Sequence, residues 1–352
     1  MSVPTPNASK RRILVTGGSG FIGSHLVELL LSRGDRVTIV DNLSTGRRAN
    51  LGGLEGRIDL IESGVSEALR GLRPGDFDEI YHLAAAVGVR LVVERPIHTI
   101  ETNVLETSAI LHFAGDARTP ILIASTSEVY GRGVKTPFSE EDDVVYGPTT
   151  LSRWSYACSK AIDEYLALAC HRERGLPAVV VRFFNTVGPR QVGEYGMVLP
   201  RFVARALADE PIEVHGDGRQ SRCFCDVRDA VPALPRLLAE SACHGRVFNL
   251  GNDRSIEIGA LAELVRETLG SASPIVLVPY ESAFGPGFDD LRRREPDLTR
   301  IRAAIGFDPR IPLRQTILDI AAHLRGAGSE EGVASAAVAP GGTANGGRGE
   351  RR

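Results

Sequence analysis

The chain has 352 residues, with 41 lysines and arginines against 44 acidic side chains, a formal net charge of −3 and 43% hydrophobic residues. That length supports a large core with a smaller appended lobe, and the near balance of charge gives no reason for a nucleic-acid partner. No stretch reaches the ~18 apolar residues of a membrane span, and the N-terminus lacks the apolar core of a signal peptide, so the chain reads as soluble and cytoplasmic.

Residues 1–10 are small and polar and are expected to be disordered. Arg12–Thr16 is a short apolar, β-branched run of the kind buried in a parallel sheet. It enters the turn Gly17-Gly18-Ser19-Gly20-Phe21-Ile22-Gly23 directly. Ser24–Arg33 then carries leucines at helical spacing, Gly34 ends the helix, and a second strand, Arg36–Val40, ends in Asp41 and Asn42. Strand, glycine turn, helix, strand and acid form the order of a mononucleotide-binding βαβ unit. Glycines at 17, 20 and 23 let backbone approach a pyrophosphate, which the following helix N-terminus attracts. Asp41, eighteen residues past Gly23, can accept ribose hydroxyls and would repel a 2′-phosphate, which favours NAD over NADP. Arg47 and Arg48 keep NADP as the minority reading.

Further strands are predicted at Ile58–Glu62, Glu79–Leu83, Pro120–Ala124 and Ala178–Phe183, separated by helices such as Ile97–Asp116 and Trp154–Arg174. The expected fold is α/β: a Rossmann-type doubly wound parallel sheet with a smaller C-terminal α/β substrate-binding lobe. The dinucleotide domain is assigned to 11–185 with late elements from about 226–256, including a strand at Val247–Leu250. The lobe is assigned mainly to 186–325, and the glycine-rich stretch 326–352 to a disordered tail. Five cysteines at 158, 170, 223, 225 and 243 show no zinc-ribbon spacing, so no metal is expected.

Tyr156 and Lys160 lie one helical turn apart, and lysine occurs only at 10, 135 and 160. A phenol beside an ammonium is a general base for an alcohol that loses hydride to a nicotinamide, with Lys160 expected to lower the phenol pKa. Ser125-Thr126-Ser127-Glu128-Val129-Tyr130-Gly131 places hydroxyls and a carboxylate at a strand's C-terminal end. Thr126 can share a hydrogen bond with Tyr156 and the substrate alcohol, and Glu128 can relay a proton or position a water.

These motifs, with His82-Leu83-Ala84-Ala85, Asn103, the run Arg182 to Arg190 and Gly216 to Arg222, resemble the extended short-chain dehydrogenase/reductase superfamily and its nucleotide-sugar epimerases, dehydratases and decarboxylases over roughly residues 11–325. The resemblance implies an NAD kept by the enzyme, oxidation of the sugar at C4, chemistry on the ketone and return of the hydride. It assigns Phe21, Ile22, Asn42, Leu83, Ala84, Ala85 and Asn103 to the cofactor, and Asn185, Arg190 and Arg222 to the nucleotide sugar. Sugar 4,6-dehydratases carry an acid where this chain has Ser127. Thr126-Ser127-Glu128 with Arg153-Trp154-Ser155-Tyr156 and Arg292 to Asp297 is most similar to UDP-glucuronate decarboxylases.

A C5 carboxylate becomes a β-keto acid once C4 is oxidised, and Arg153 and Arg294 are the candidates to hold it. Glu128 with Ser127 would manage the proton at C5, and UDP-xylose is the implied product. A UDP-sugar 4-epimerase is the rival, with Glu128 and the arginines against it. A non-catalytic NAD sensor is expected to lose Tyr156, Lys160 or Thr126, and all three are present. The two long helices resemble the family's dimer-forming pair, which implies a homodimer. One departure is Ser63-Gly64-Val65, where family members commonly carry Gly-Asp-Val with the aspartate on the adenine amino group.

Overall fold

The computed structural model describes residues 10–87, 94–133, 135–193, 197–279, 282 and 291–336, the last ten of these through their backbone alone. The apolar runs become strands β1 (Arg12–Thr16), β2 (Arg36–Val40), β3 (Ile58–Ile61), β4 (Glu79–His82), β5 (Ile121–Thr126) and β6 (Ala178–Phe183), joined by Arg246–Leu250 in one parallel sheet. The spatial order is Arg246–Leu250, β6, β5, β4, β1, β2, β3. The chain reverses direction across the sheet between β1 and β4, whose registers pair Ile13 with both Val37 and Glu79. The crevice at such a switch point is where a dinucleotide binds.

Helix α1 (Phe21–Ser32) starts three residues earlier than its leucine pattern suggests, because Gly20 is its N-cap and the glycine turn feeds straight into it. Apolar residues of α1, β1 and β2 fill one face of the sheet, and those of β4, β5 and the Pro96–Ala117 helix fill the other. Both faces are covered, which is why these strands are continuously apolar rather than alternating. A third core, built on Leu199, Phe202, Ile212, Val214, Leu261 and Ile317, belongs to the lobe. Its strands are short: Ser221–Cys223 pairs with Ser255–Glu257 and with Arg293–Arg294. Cys223 and Cys225 sit on two such strands, both buried, and burial pushes both thiols up.

A buried ion pair ties the layers together. Arg182 on β6 donates to Glu164 on the Arg153–Arg174 helix at 2.9 and 2.7 Å, and its guanidinium lies 4.6 Å from the Tyr130 ring centroid. Tyr130 donates to Asn249 at 2.7 Å, and Asn249 donates to the Phe138 and Asp297 carbonyls.

The C-terminal stretch corrects one expectation. A helix covers Leu313–Ala336, so 326–336 is helical rather than structureless. Extending a nucleated helix costs far less than starting one, and the glycines there are interleaved with alanine and glutamate. Residues 1–9 and 337–352, read as disordered from sequence, lie outside the described residues.

His82, at the end of β4, is fully enclosed, with Nδ1 2.8 Å from Thr16 Oγ1 and Nε2 3.0 Å from Thr107 Oγ1. Burial, reinforced by the nearby Lys160 charge, lowers its pKa from 6.5 to about 3. The unfolded chain therefore binds a proton below about 6.5 that the folded chain refuses until about 3. Stability from this group is complete above that window and is lost as pH falls through it, at roughly 1.4 kcal/mol per pH unit. Urea denaturation of H82Q between pH 7 and pH 4 should show a shallower acid decline than the wild type; equal slopes would contradict the assignment.

Candidate active site

The first wall of the cleft is the turn between β1 and α1. Gly17 holds φ +73° and donates to the Val40 carbonyl at 2.8 Å. A Cβ at Gly17 would stand 2.7 Å from the Ala84 nitrogen, and one at Gly23 would stand 2.0 Å from the Gly17 carbonyl oxygen. Only glycine fits either place, so bare backbone lines the switch point. No side chain caps α1, and the amides of Phe21, Ile22 and Gly23 have no intrahelical acceptor. That cradle fits a pyrophosphate.

Asp41 sits at the end of β2, buried, accepting from the Ser19 amide through Oδ2 and the Leu43 amide through Oδ1, both at 2.9 Å. Each oxygen keeps a further lone pair for a ribose hydroxyl. Arg48 pairs with Glu62, while Arg47 is exposed at the rim. The Leu83 amide donates to the Thr16 carbonyl at 3.0 Å and the Ala84 amide to Thr16 Oγ1 at 3.3 Å, which lays Leu83, Ala84 and Ala85 along the opposite side of the turn.

Two expected cofactor contacts are engaged elsewhere. Asn42 is exposed and its Oδ1 accepts from the Ser44 amide at 3.0 Å, so it shapes its own turn. Asn103 is buried; its Oδ1 accepts from the Ala86 amide at 2.8 Å and its Nδ2 donates to Ser159 Oγ at 3.1 Å. It clamps the loop after β4 to the Arg153–Arg174 helix.

That helix carries the candidate reacting groups, Tyr156 and Lys160, on one face. Lys160 is buried and donates to Asp163 Oδ2 at 2.7 Å, with Asp163 fully enclosed. Tyr156 reaches a hydrogen bond with Thr126, which ends β5 and itself accepts from the Glu128 amide at 3.2 Å. The phenol pKa is raised: burial acts first, then the charges of Glu128 and Asp163, with the Thr126 hydrogen bond opposing them. Lys160, expected to lower the phenol pKa, is not among these influences. Its ammonium is paired with the carboxylate of Asp163, whose charge acts to raise the Tyr156 pKa. Asp163 went unnoticed in the sequence although 156, 160 and 163 share a helical face.

Glu128 accepts from Arg294 Nη1 at 2.5 Å, joining the end of β5 to the lobe. Arg294 lies in register with Arg222 on the adjacent strand, and both are buried. Arg222 donates to the Ser221 and Leu291 carbonyls at 2.8 Å. Ser127, next to Glu128 in the chain, is buried, and Arg153 stacks its guanidinium 5.0 Å from the Trp154 ring centroid. Asn185, at φ +36°, donates to the Cys223 carbonyl at 3.1 Å and so joins β6 to the lobe. Arg190 pairs with Glu28 on α1 through Nη2 at 2.5 Å.

A family model described as the NAD dependent epimerase/dehydratase family matches residues 13–251. The chain belongs to this family. A UDP-N-acetyl-alpha-D-glucosaminuronate decarboxylase of Bacillus cytotoxicus is 41% identical over 309 residues, covering 87% of this chain and 95% of its own length. UDP-glucuronic acid decarboxylase 1 of Arabidopsis thaliana is 37% identical over 316 residues, covering 89% and 70%. A solved UDP-N-acetylglucosamine 4-epimerase of Methanobrevibacter ruminantium aligns with TM-score 0.81 at 28% identity, over 90% of this chain and 99% of that one. The family is NAD-dependent; NAD would supply a hydride acceptor and then a hydride donor, and the glycine cradle and Asp41 are the residues that would hold it.

If Glu128 helps hold the phenol up, E128Q should move the Tyr156 ionisation to lower pH. The check is an ultraviolet tyrosinate titration, with Y156F subtracted to isolate that one phenol. An unmoved or higher midpoint would remove Glu128 as a cause.

Proposed function

We propose that this protein is an NAD-dependent UDP-glucuronate decarboxylase that forms UDP-xylose and carbon dioxide with no net redox change. The observation that carries the reading is the Glu128–Arg294 pair beside Tyr156, a carboxylate-binding guanidinium linked to an acid at the end of β5. Tyr156 takes the C4 hydroxyl proton as hydride leaves C4, with Thr126 holding the same oxygen. Lys160, fixed by Asp163, keeps two donors for the nicotinamide ribose.

The C4 ketone then draws the electron pair of the breaking C5–carboxylate bond, releasing carbon dioxide and leaving an enolate. Arg294 orients the departing carboxylate by exchanging Glu128 for it, and freed Glu128, with Ser127, takes a proton from solvent water and delivers it to C5. Hydride returns to C4 as Tyr156 gives its proton back to the oxygen. Arg222, the register partner of Arg294, supports binding of the diphosphate or sugar.

The 41% relative favours a second reading in which the C2 substituent is an acetamido group; the carboxylate chemistry is the same. Proton NMR of the purified protein with UDP-glucuronate or UDP-N-acetylglucosaminuronate, with carbon dioxide measured in parallel, separates these. Pentose with evolved gas from UDP-glucuronate is the expected result, gas only from the acetamido substrate selects the second reading, and a UDP-galacturonate signal without gas makes the protein an epimerase. R294K should lower the decarboxylation kcat/KM by about 10- to 100-fold, the loss of a bidentate charge-assisted contact. An unchanged value would detach Arg294 from the carboxylate.

The Pro96–Ala117 and Arg153–Arg174 helices pack together and expose Ile97, Leu105, Ile162 and Tyr165 at 72%, 61%, 44% and 67%. Such a patch suits a second copy of the chain, as a homodimer. Light scattering at micromolar concentration should give about twice the 37.8 kDa chain mass, falling to the monomer in L105E/Y165E. A wild-type monomer would refute the dimer.

A further inference from the structure

The sequence places no acid at Ser63 or Gly64, and the structure shows which side chain stands there instead. Strand β3 runs beside β2, with the Asp41 amide donating to the Ile61 carbonyl at 3.1 Å and the Ser63 amide to the Asp41 carbonyl at 3.2 Å. A ribose held by Asp41 therefore directs its base toward the end of β3 and the start of helix α2 (Val65–Ala68). Gly64 is the N-cap of α2, at φ −62° and ψ 154°, a conformation open to any residue. A Cβ built on Gly64 would find Glu106 Oε1 at 3.3 Å.

Glu106 reaches this point from the Pro96–Ala117 helix and is half-buried. Its Oε2 accepts from the Ser66 amide at 2.5 Å and the Ser66 hydroxyl at 2.7 Å. Those two bonds fix the carboxylate, while Oε1 receives no hydrogen bond from any described residue. A pinned carboxylate with one free oxygen is a strong acceptor for an amino group. Capping α2 alone would need only the Oε2 side.

We propose that Glu106 is the adenine-recognition residue of this protein, its Oε1 accepting a hydrogen bond from the 6-amino group of NAD. The carboxylate thus comes from a neighbouring helix rather than from residue 64, and Gly64 leaves the space it occupies. The proposal rests on NAD lying across the switch point with its ribose on Asp41.

The test is calorimetric titration of the full chain with NAD and with nicotinamide hypoxanthine dinucleotide, whose 6-oxo group accepts where the amino group donates. The wild type should prefer NAD by about 10-fold, since the oxo analogue leaves Glu106 facing another acceptor. In E106Q the amide oxygen stays with the two Ser66 donors and the NH2 turns to the base, so the preference should vanish or invert. G64D should weaken NAD binding by crowding two carboxylates, and G64D/E106A should restore both affinity and preference. A wild type that binds both dinucleotides alike, or an E106Q that keeps the wild-type ratio, would overturn the inference while leaving the cofactor site standing. Failure of the wild type to bind NAD would overturn the inference together with the placement beneath it. A packing role for Glu106 would lower both affinities together and leave their ratio unmoved.

Discussion

The Arg182–Glu164 pair is the constraint on which the site hangs. Both side chains are almost fully withdrawn from water, so each needs the other, and removing either would leave a buried charge at a cost of about 3–5 kcal/mol. Glu164 also accepts from Ser125, one residue before Thr126, and lies on the helix that carries Tyr156 and Lys160. Arg182 lies against Tyr130, and Tyr130 leads through Asn249 to the segment that delivers Arg294. One ion pair thus sets the distance between β5, the Tyr156 helix and the lobe. Those three elements supply the hydroxyls, the phenol and the guanidinium.

Local patterns made most of the cofactor half legible. The glycine turn, Asp41 and the Tyr156–Lys160 spacing are each encoded within a few residues, and continuous apolar strands announce a sheet covered on both faces. What stayed hidden depends on where the far ends of side chains go. Asn42, Asn103 and Arg190 occupy motif positions, yet their polar atoms meet Ser44, Ala86 and Glu28, partners that only folding supplies. The pairing of Glu164 with Arg182 carries no periodic signature. Strands of two or three residues in the lobe are too short for an alternation to be read, and the glycines after 326 concealed a helix that its upstream turns extend.

The charge of the active helix is balanced from within. Lys160 and Asp163 neutralise each other, and burial, then Glu128 and Asp163, hold the Tyr156 pKa up. Positive charge brought to the cleft would oppose that shift. A cationic nicotinamide bound nearby would be such a charge, and would favour loss of the phenol proton.

Glu128 and its partner are separated by 166 positions, and the family match ends at residue 251, before Arg294 is reached. The shared dinucleotide machinery is thus written early in the chain, and the guanidinium beside Glu128 is written late. β5 is synthesised before the strand bearing Arg294, which supplies that acid's counter-charge. A change confined to the strand that bears Arg294 would therefore alter the charge around Glu128 while leaving the sheet and its glycine turn as they are.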